Sequence, residues 1–87
     1  MKEEFDKAVE YVNNMKDNVR TTDKVKESLY GMYKRITVGK CSEKGGTRPM
    51  MFNVIGQRKY DAWMIYDNNT EEECKKMYIK LVNTLKI

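Results

Sequence analysis

The chain has 87 residues, 40% of them hydrophobic and 34% charged, with a net charge of +4, two cysteines and no histidine. That length allows one thin-cored domain over residues 1–87, and the composition excludes a disordered chain. The missing histidine excludes imidazole catalysis and a mixed cysteine–histidine zinc site, and no apolar run approaches the roughly 20 residues of a membrane span.

The first predicted element is a helix over residues 2–16. Phe5, Ala8, Val9, Val12 and Met15 fall on one helical stripe, and Glu3, Glu4 and Asp6 suit the positive end of a helix dipole. This charged start is unlike a secretory signal, so a cytoplasmic protein is expected. Thr21-Thr22-Asp23 is a helix-start signal. A second stripe follows with Val25, Leu29, Met32 and Ile36, and Tyr33 sits at its edge. Gly39 can end this helix in a left-handed conformation. Gly31, inside it, costs about 1 kcal/mol relative to alanine and hints at close approach by another backbone or a ligand.

Residues 40–51 have no period, and Gly45-Gly46 and Pro49 break regular structure, so a long loop is expected there. A third helix over about residues 53–67 presents Tyr60, Trp63 and Met64 on one face, with Ile55 and Tyr66 nearby. Thr70 and Glu73 form a capping-box signature for the last helix. Its stripe is Cys74, Met77, Tyr78, Leu81, Val82 and Leu85. Four amphipathic helices with one long connection make an all-α four-helix bundle the default architecture.

No enzyme motif is present, and Glu71-Glu72-Glu73 are accounted for by the first turn of a helix. Cys41 and Cys74 match no metal spacing and read as two free thiols in a reducing compartment. Between Lys34 and Lys59 seven basic residues face one acid, Glu43, a local charge of +6. Such a zone suits an anionic partner.

Tyr30 and Lys34 are one helical turn apart, beside an apolar stripe. A ring, an ammonium and a greasy strip suit an amphiphilic ligand with a flat base and a phosphate. Periodicity alone favours the plainer reading, a solvated basic face with tyrosines straddling core and water. Arg58 and Lys59, at the start of the third helix, are a second place for an anion, and Trp63 reads as a core anchor. Two other classes stay open from the residues alone: nucleic-acid binding with tyrosines as stacking platforms, and a protein-interaction bundle.

Five stretches in order resemble the acyl-CoA-binding protein family. They are Glu4-Phe5-Asp6-Lys7-Ala8, the run from Leu29 to Gly39, Arg48-Pro49-Met50-Met51, Lys59-Tyr60-Asp61-Ala62-Trp63, and Met77-Tyr78-Ile79-x-Leu81-Val82. The second contains the specific pattern Tyr-x-x-Tyr-Lys-x-x-Thr-Val-Gly. The resemblance implies an up-down-down-up bundle, monomeric and without cofactor, that binds one long-chain fatty acyl-CoA. It implies transient contact with acyl-CoA-using enzymes or membranes, and no nucleic acid. Tyr30 then stands where the adenine stacks, and Lys34 and Lys59 where the ribose 3′-phosphate is held. Tyr33 and Tyr78 resemble tyrosines that line the ligand, and Gly31 and Met32 belong to the same contacting run. Asn13 and Ile55 stand where the family often has lysines, Met50 where it has glycine and Tyr60 where it has tryptophan. Lys16 or Arg35 could compensate for the lysine missing at Asn13. The loop between Gly39 and Arg48 is longer than is usual in the family.

Overall fold

The computed structural model describes residues 2–15 and 22–86. Helix α1 (Lys2–Asn14) buries Phe5 and Ala8, with Val9, Val12 and Met15 packed at the edge of the core. Lys16, where this helix was expected to end, and Thr21 of the start signal lie outside the described residues. Thr22 caps α2 (Asp23–Thr37), its hydroxyl accepting the Val25 N–H at 3.2 Å. At the other end the Gly39 N–H reaches the Lys34 carbonyl, with Gly39 at φ +123°, a conformation that suits a residue without Cβ.

The stretch expected to be irregular contains a one-turn helix, α3 (Cys41–Lys44). Cys41 is fully buried and anchors it, and the N–H groups of Lys44 and Gly45 close on the carbonyls of Lys40 and Cys41, both at 2.8 Å. Helix α4 (Val54–Met64) is shorter than the predicted third helix. Asn53 caps it by accepting the Gly56 N–H at 3.0 Å, and residues 65–69 continue as tight turns. Helix α5 (Glu71–Leu85) starts at the predicted capping box. The Glu73 N–H donates to the Thr70 hydroxyl at 3.0 Å, and the Thr70 N–H donates to the Glu73 carboxylate at 2.8 Å. That backbone bond holds the Glu73 carboxyl below its ordinary value.

Cross-helix pairs give the directions. Along α2 and α4 they run Glu27–Arg58, Tyr30–Lys59 and Lys34–Trp63, numbers rising together, so the two helices are parallel. Phe5–Tyr78 and Tyr11–Lys86 make α1 and α5 parallel as well. Tyr33 faces Tyr78 and Arg35 faces Cys74, so α2 and α5 are antiparallel. The four long helices thus form the up-down-down-up bundle. The connection carrying α3 brings the chain back, so that α4 can run beside α2 in the same direction.

Most of the core comes from the predicted stripes of α1, α2 and α5, with Leu29, Met32, Ile36, Tyr78, Val82 and Leu85 at its centre. The seam between α2 and α4 rests on Gly31. A Cβ there would overlap the backbone carbonyl of Ala62 and touch the Tyr66 ring, so the hint of close approach resolves to a neighbouring backbone. Ala62, which the third predicted face omitted, is buried for this reason, while Ile55 points outward. The thiols of Cys41 and Cys74 are free and buried in different helices, and burial raises both pKa values.

In an exposed helix Gly→Ala stabilises by about 1 kcal/mol. Here Gly31→Ala should lower the unfolding free energy by about 1–3 kcal/mol, the usual cost of overpacking, in urea titration.

Candidate ligand-binding site

Tyr30 lies on the open side of α2 because the apolar stripe that fixes the helix's rotation faces the core against α5. Successive residues step by about 100° around a helix. Tyr33, Tyr30 and Lys34 therefore form one outward band, and Gly31 and Met32 turn inward. Burial agrees: Gly31 and Met32 are buried, Tyr30 and Lys34 half-buried, and Tyr33 exposed.

Between α2 and α4 is a cleft of about 210 Å³, lined by Tyr30, Lys59, Tyr60, Trp63, Gly56 and the loop residues Gly45, Thr47 and Pro49. Lys59 Nζ lies 5.5 Å from the Tyr30 ring centre, and Lys34 Nζ lies 4.8 Å from that of Trp63. Two ammonium groups thus flank one aromatic-walled cleft. Trp63 is locked in place, since its indole N–H donates to the Gly39 carbonyl at 2.8 Å.

The loop wall is clamped by contacts that no local pattern announced. Arg48 makes a two-pronged bond to the Asp61 carboxylate, at 2.9 and 2.7 Å. The Tyr60 hydroxyl donates to the Gly46 carbonyl at 3.1 Å, and the Gln57 amide donates to that of Pro49 at 3.0 Å. Asp67 accepts the Ser42 N–H at 3.0 Å. The Arg48 bond holds the Asp61 carboxyl below its ordinary value, and hydrogen bonds from Ser42 do the same for Asp67. No sequence signal marked the main pair, since Asp61 also has Arg58 three positions before it on the same helix, while Arg48 lies 13 positions away.

The remaining candidates sit elsewhere. Tyr33 stacks on Phe5, with ring centres 6.4 Å apart, and Tyr78 meets the same ring edge-on at 5.2 Å. Tyr78 is buried, which pushes its phenol up to about 12. Asn13 is exposed on the last turn of α1, and Ile55 is exposed one turn before Lys59. Arg35 is engaged with the Asn69 carbonyl at 3.0 Å, away from the cleft, and Lys16 is outside the described residues. A more open groove of about 680 Å³ lies between α1 and α5, lined by Glu4, Lys76, Ile79, Lys80, Asn83 and Thr84, with no aromatic platform. Among the described residues no acidic, cysteine or histidine cluster could hold a metal, and no helix is long and apolar enough to cross a membrane.

The family described as Acyl CoA binding protein matches residues 2–82. The chain belongs to the acyl-CoA-binding protein family. It is 36% identical over 85 residues to an acyl-CoA-binding protein of Ricinus communis, spanning 98% of this chain and 89% of that one. It is 34% identical to acyl-CoA-binding domain-containing protein 2 of Oryza sativa subsp. japonica, over 98% and 88% of the two chains. The crystal structure of Oryza sativa acyl-CoA-binding protein 2 superposes with a TM-score of 0.84 at 33% identity, over 97% of this chain and 88% of that one. The expected family and fold are both borne out.

Asp61 and Asp67 sit below the ordinary carboxylate value of 3.8, so the clamp's stability is complete above that value and is lost as pH falls through their lower folded values. Trp63 fluorescence should therefore hold steady from neutral pH down to about 3.8 and change only below it. Asp61→Asn should remove part of that acid transition.

Proposed function

We propose that the protein is a non-catalytic carrier of long-chain fatty acyl-CoA thioesters, taking one per chain as a cytoplasmic monomer and delivering it to enzymes and membranes. The carrying observation is a cleft lined by Tyr30, Lys59 and Trp63, with the Lys34 ammonium resting over the Trp63 ring, in a chain of this family. Tyr30 offers a ring face for adenine. Lys34 and Lys59, from two helices held in register by the Gly31 seam, take the 3′-phosphate between them. Gly31 and Met32 serve from inside, by holding that register. Tyr33 offers an exposed ring beside Tyr30, and Tyr78 supports it from the core through Phe5.

The acyl chain supplies most of the affinity. Burying a methylene contributes ~0.8 kcal/mol, so a chain of roughly fifteen carbons yields about 12 kcal/mol gross. Association and ordering remove several of these. The polyanionic head is well solvated and contributes less per atom, but it excludes free fatty acids. Ile55, one turn before Lys59 and outward, extends an apolar path where a charge would oppose a chain. Asn13 adds no charge, which leaves the phosphate to the two lysines.

The rival nucleic-acid reading loses support from the ion pairs. Arg48 is bound to Asp61 and Arg58 to Glu27, and Arg35 is turned to Asn69, so three cations of the central zone are already engaged.

Calorimetry tests the site. Tyr30→Ala and Lys34→Ala should each weaken binding of a long-chain acyl-CoA about tenfold or more, with unchanged helicity and melting. Unchanged affinity in both variants would refute the assignment. Free CoA should bind far more weakly than its long-chain thioester, and equal affinities would show that the apolar path is unused.

A further inference from the structure

The least expected surface lies just outside the cleft. Met50, Met51, Phe52, Val54 and Ile55 are 70, 82, 85, 57 and 70% exposed. Five large apolar side chains within six residues are more than the scattered exposure of an ordinary surface. Met51 and Phe52 occupy the tip of a turn closed by the Asn53 N–H on the Met50 carbonyl at 2.8 Å, where glycine or a small polar residue is usual. The base of the turn is firm. Gln57 holds the Pro49 carbonyl on one side and Asn53 caps α4 on the other.

Three observations identify what covers this surface. Residues 50–55 contain no charged side chain. The turn opens on the N-terminal end of α4, which is parallel to α2, so two positive helix ends face the same way. In the first turn of α2 Lys24 and Lys26 outnumber Asp23, the first turn of α4 holds no acid, and Lys59 follows in its second turn, while Arg58 and Glu27 neutralise each other. An uncharged apolar tip beside two helix N-termini and an excess of lysines complements an anionic lipid surface. The tip is also the lip of the cleft, because Pro49 and Gly56, which flank it in sequence, both line the cavity.

We propose that residues 50–55 dock the protein on anionic bilayers, with Met51 and Phe52 inserted at the headgroup boundary and the cleft mouth held against the lipid. An acyl chain then passes between bilayer and cleft without crossing water. This purpose rests on the carrier reading, but the docking itself needs no ligand.

The test is co-sedimentation of the unliganded protein with vesicles of phosphatidylcholine alone and of phosphatidylcholine with phosphatidylserine. The chain should partition onto the phosphatidylserine vesicles, and Met51→Ser/Phe52→Ser should reduce that partitioning about tenfold or more. Long-chain acyl-CoA affinity measured without vesicles should stay unchanged in the double variant. Absence of vesicle binding, or equal binding by the double variant, would overturn the proposal. So would a dimer that the double substitution disperses, because a second copy would then cover the patch. A parallel loss of acyl-CoA affinity would also overturn it, by assigning Met51 and Phe52, with Ile55, to the ligand path. If neither form binds acyl-CoA but the vesicle result holds, the carrier reading fails and the docking surface stands.

Discussion

The close approach of α2 to α4 at Gly31 and Ala62 is the constraint on which the site depends. Backbones meet there with no side chain between them, in a position where any Cβ would collide with a carbonyl. This brings the two parallel helices into one register, with Tyr30 opposite Lys59 and Lys34 opposite Trp63. Neither helix carries a ligand site alone. α2 supplies a ring and an ammonium one turn apart, and α4 supplies the complementary pair. A glycine that weakens a helix locally thus brings the two halves of the candidate site together.

The second requirement is a wall. Parallel neighbours need a long connection, and a long unstructured connection would leave the cleft open. Here the connection is folded back onto α4 by α3, by the two-pronged Arg48–Asp61 bond and by the Tyr60 and Gln57 contacts to loop carbonyls. The exposed ion pairs contribute little to global stability. Their consequence is spatial, because they fix where the loop lies and remove arginines from the pool of free cations. The charge left at the cleft comes from lysines, whose ammonium groups rest over aromatic rings.

Much of this was legible in the sequence, for a physical reason. The stripes of the second and last helices are clean because each of these helices packs one broad face into the core, and both starts are set by short-range caps, Thr22 and Thr70 with Glu73. The third helix was harder to read. It packs through Ala62 against a glycine, which carries no hydrophobic signal, and its outward residues include Ile55. α3 was missed because one buried cysteine is not a period. At the site, helical spacing singled out Tyr30 and Lys34, and a helix start singled out Lys59, but only the order of the motifs tied the three to one ligand. The clamp was illegible, since the pairing of Arg48 with Asp61 and of Tyr60 with Gly46 depends on how the loop folds back, which no local rule encodes. Tyr33 and Tyr78, grouped with the ligand residues by the resemblance, meet at Phe5, beside the cleft lining rather than in it.

The central claim is that one clasp, assembled across the α2–α4 seam, receives the nucleotide end of a fatty acyl-CoA. A crystal structure with a bound long-chain acyl-CoA tests it most directly. The account predicts the adenine stacked on Tyr30 and the 3′-phosphate between the ammonium groups of Lys34 and Lys59. A nucleotide seated in the open groove between α1 and α5, with Tyr30 and both lysines untouched, would contradict it.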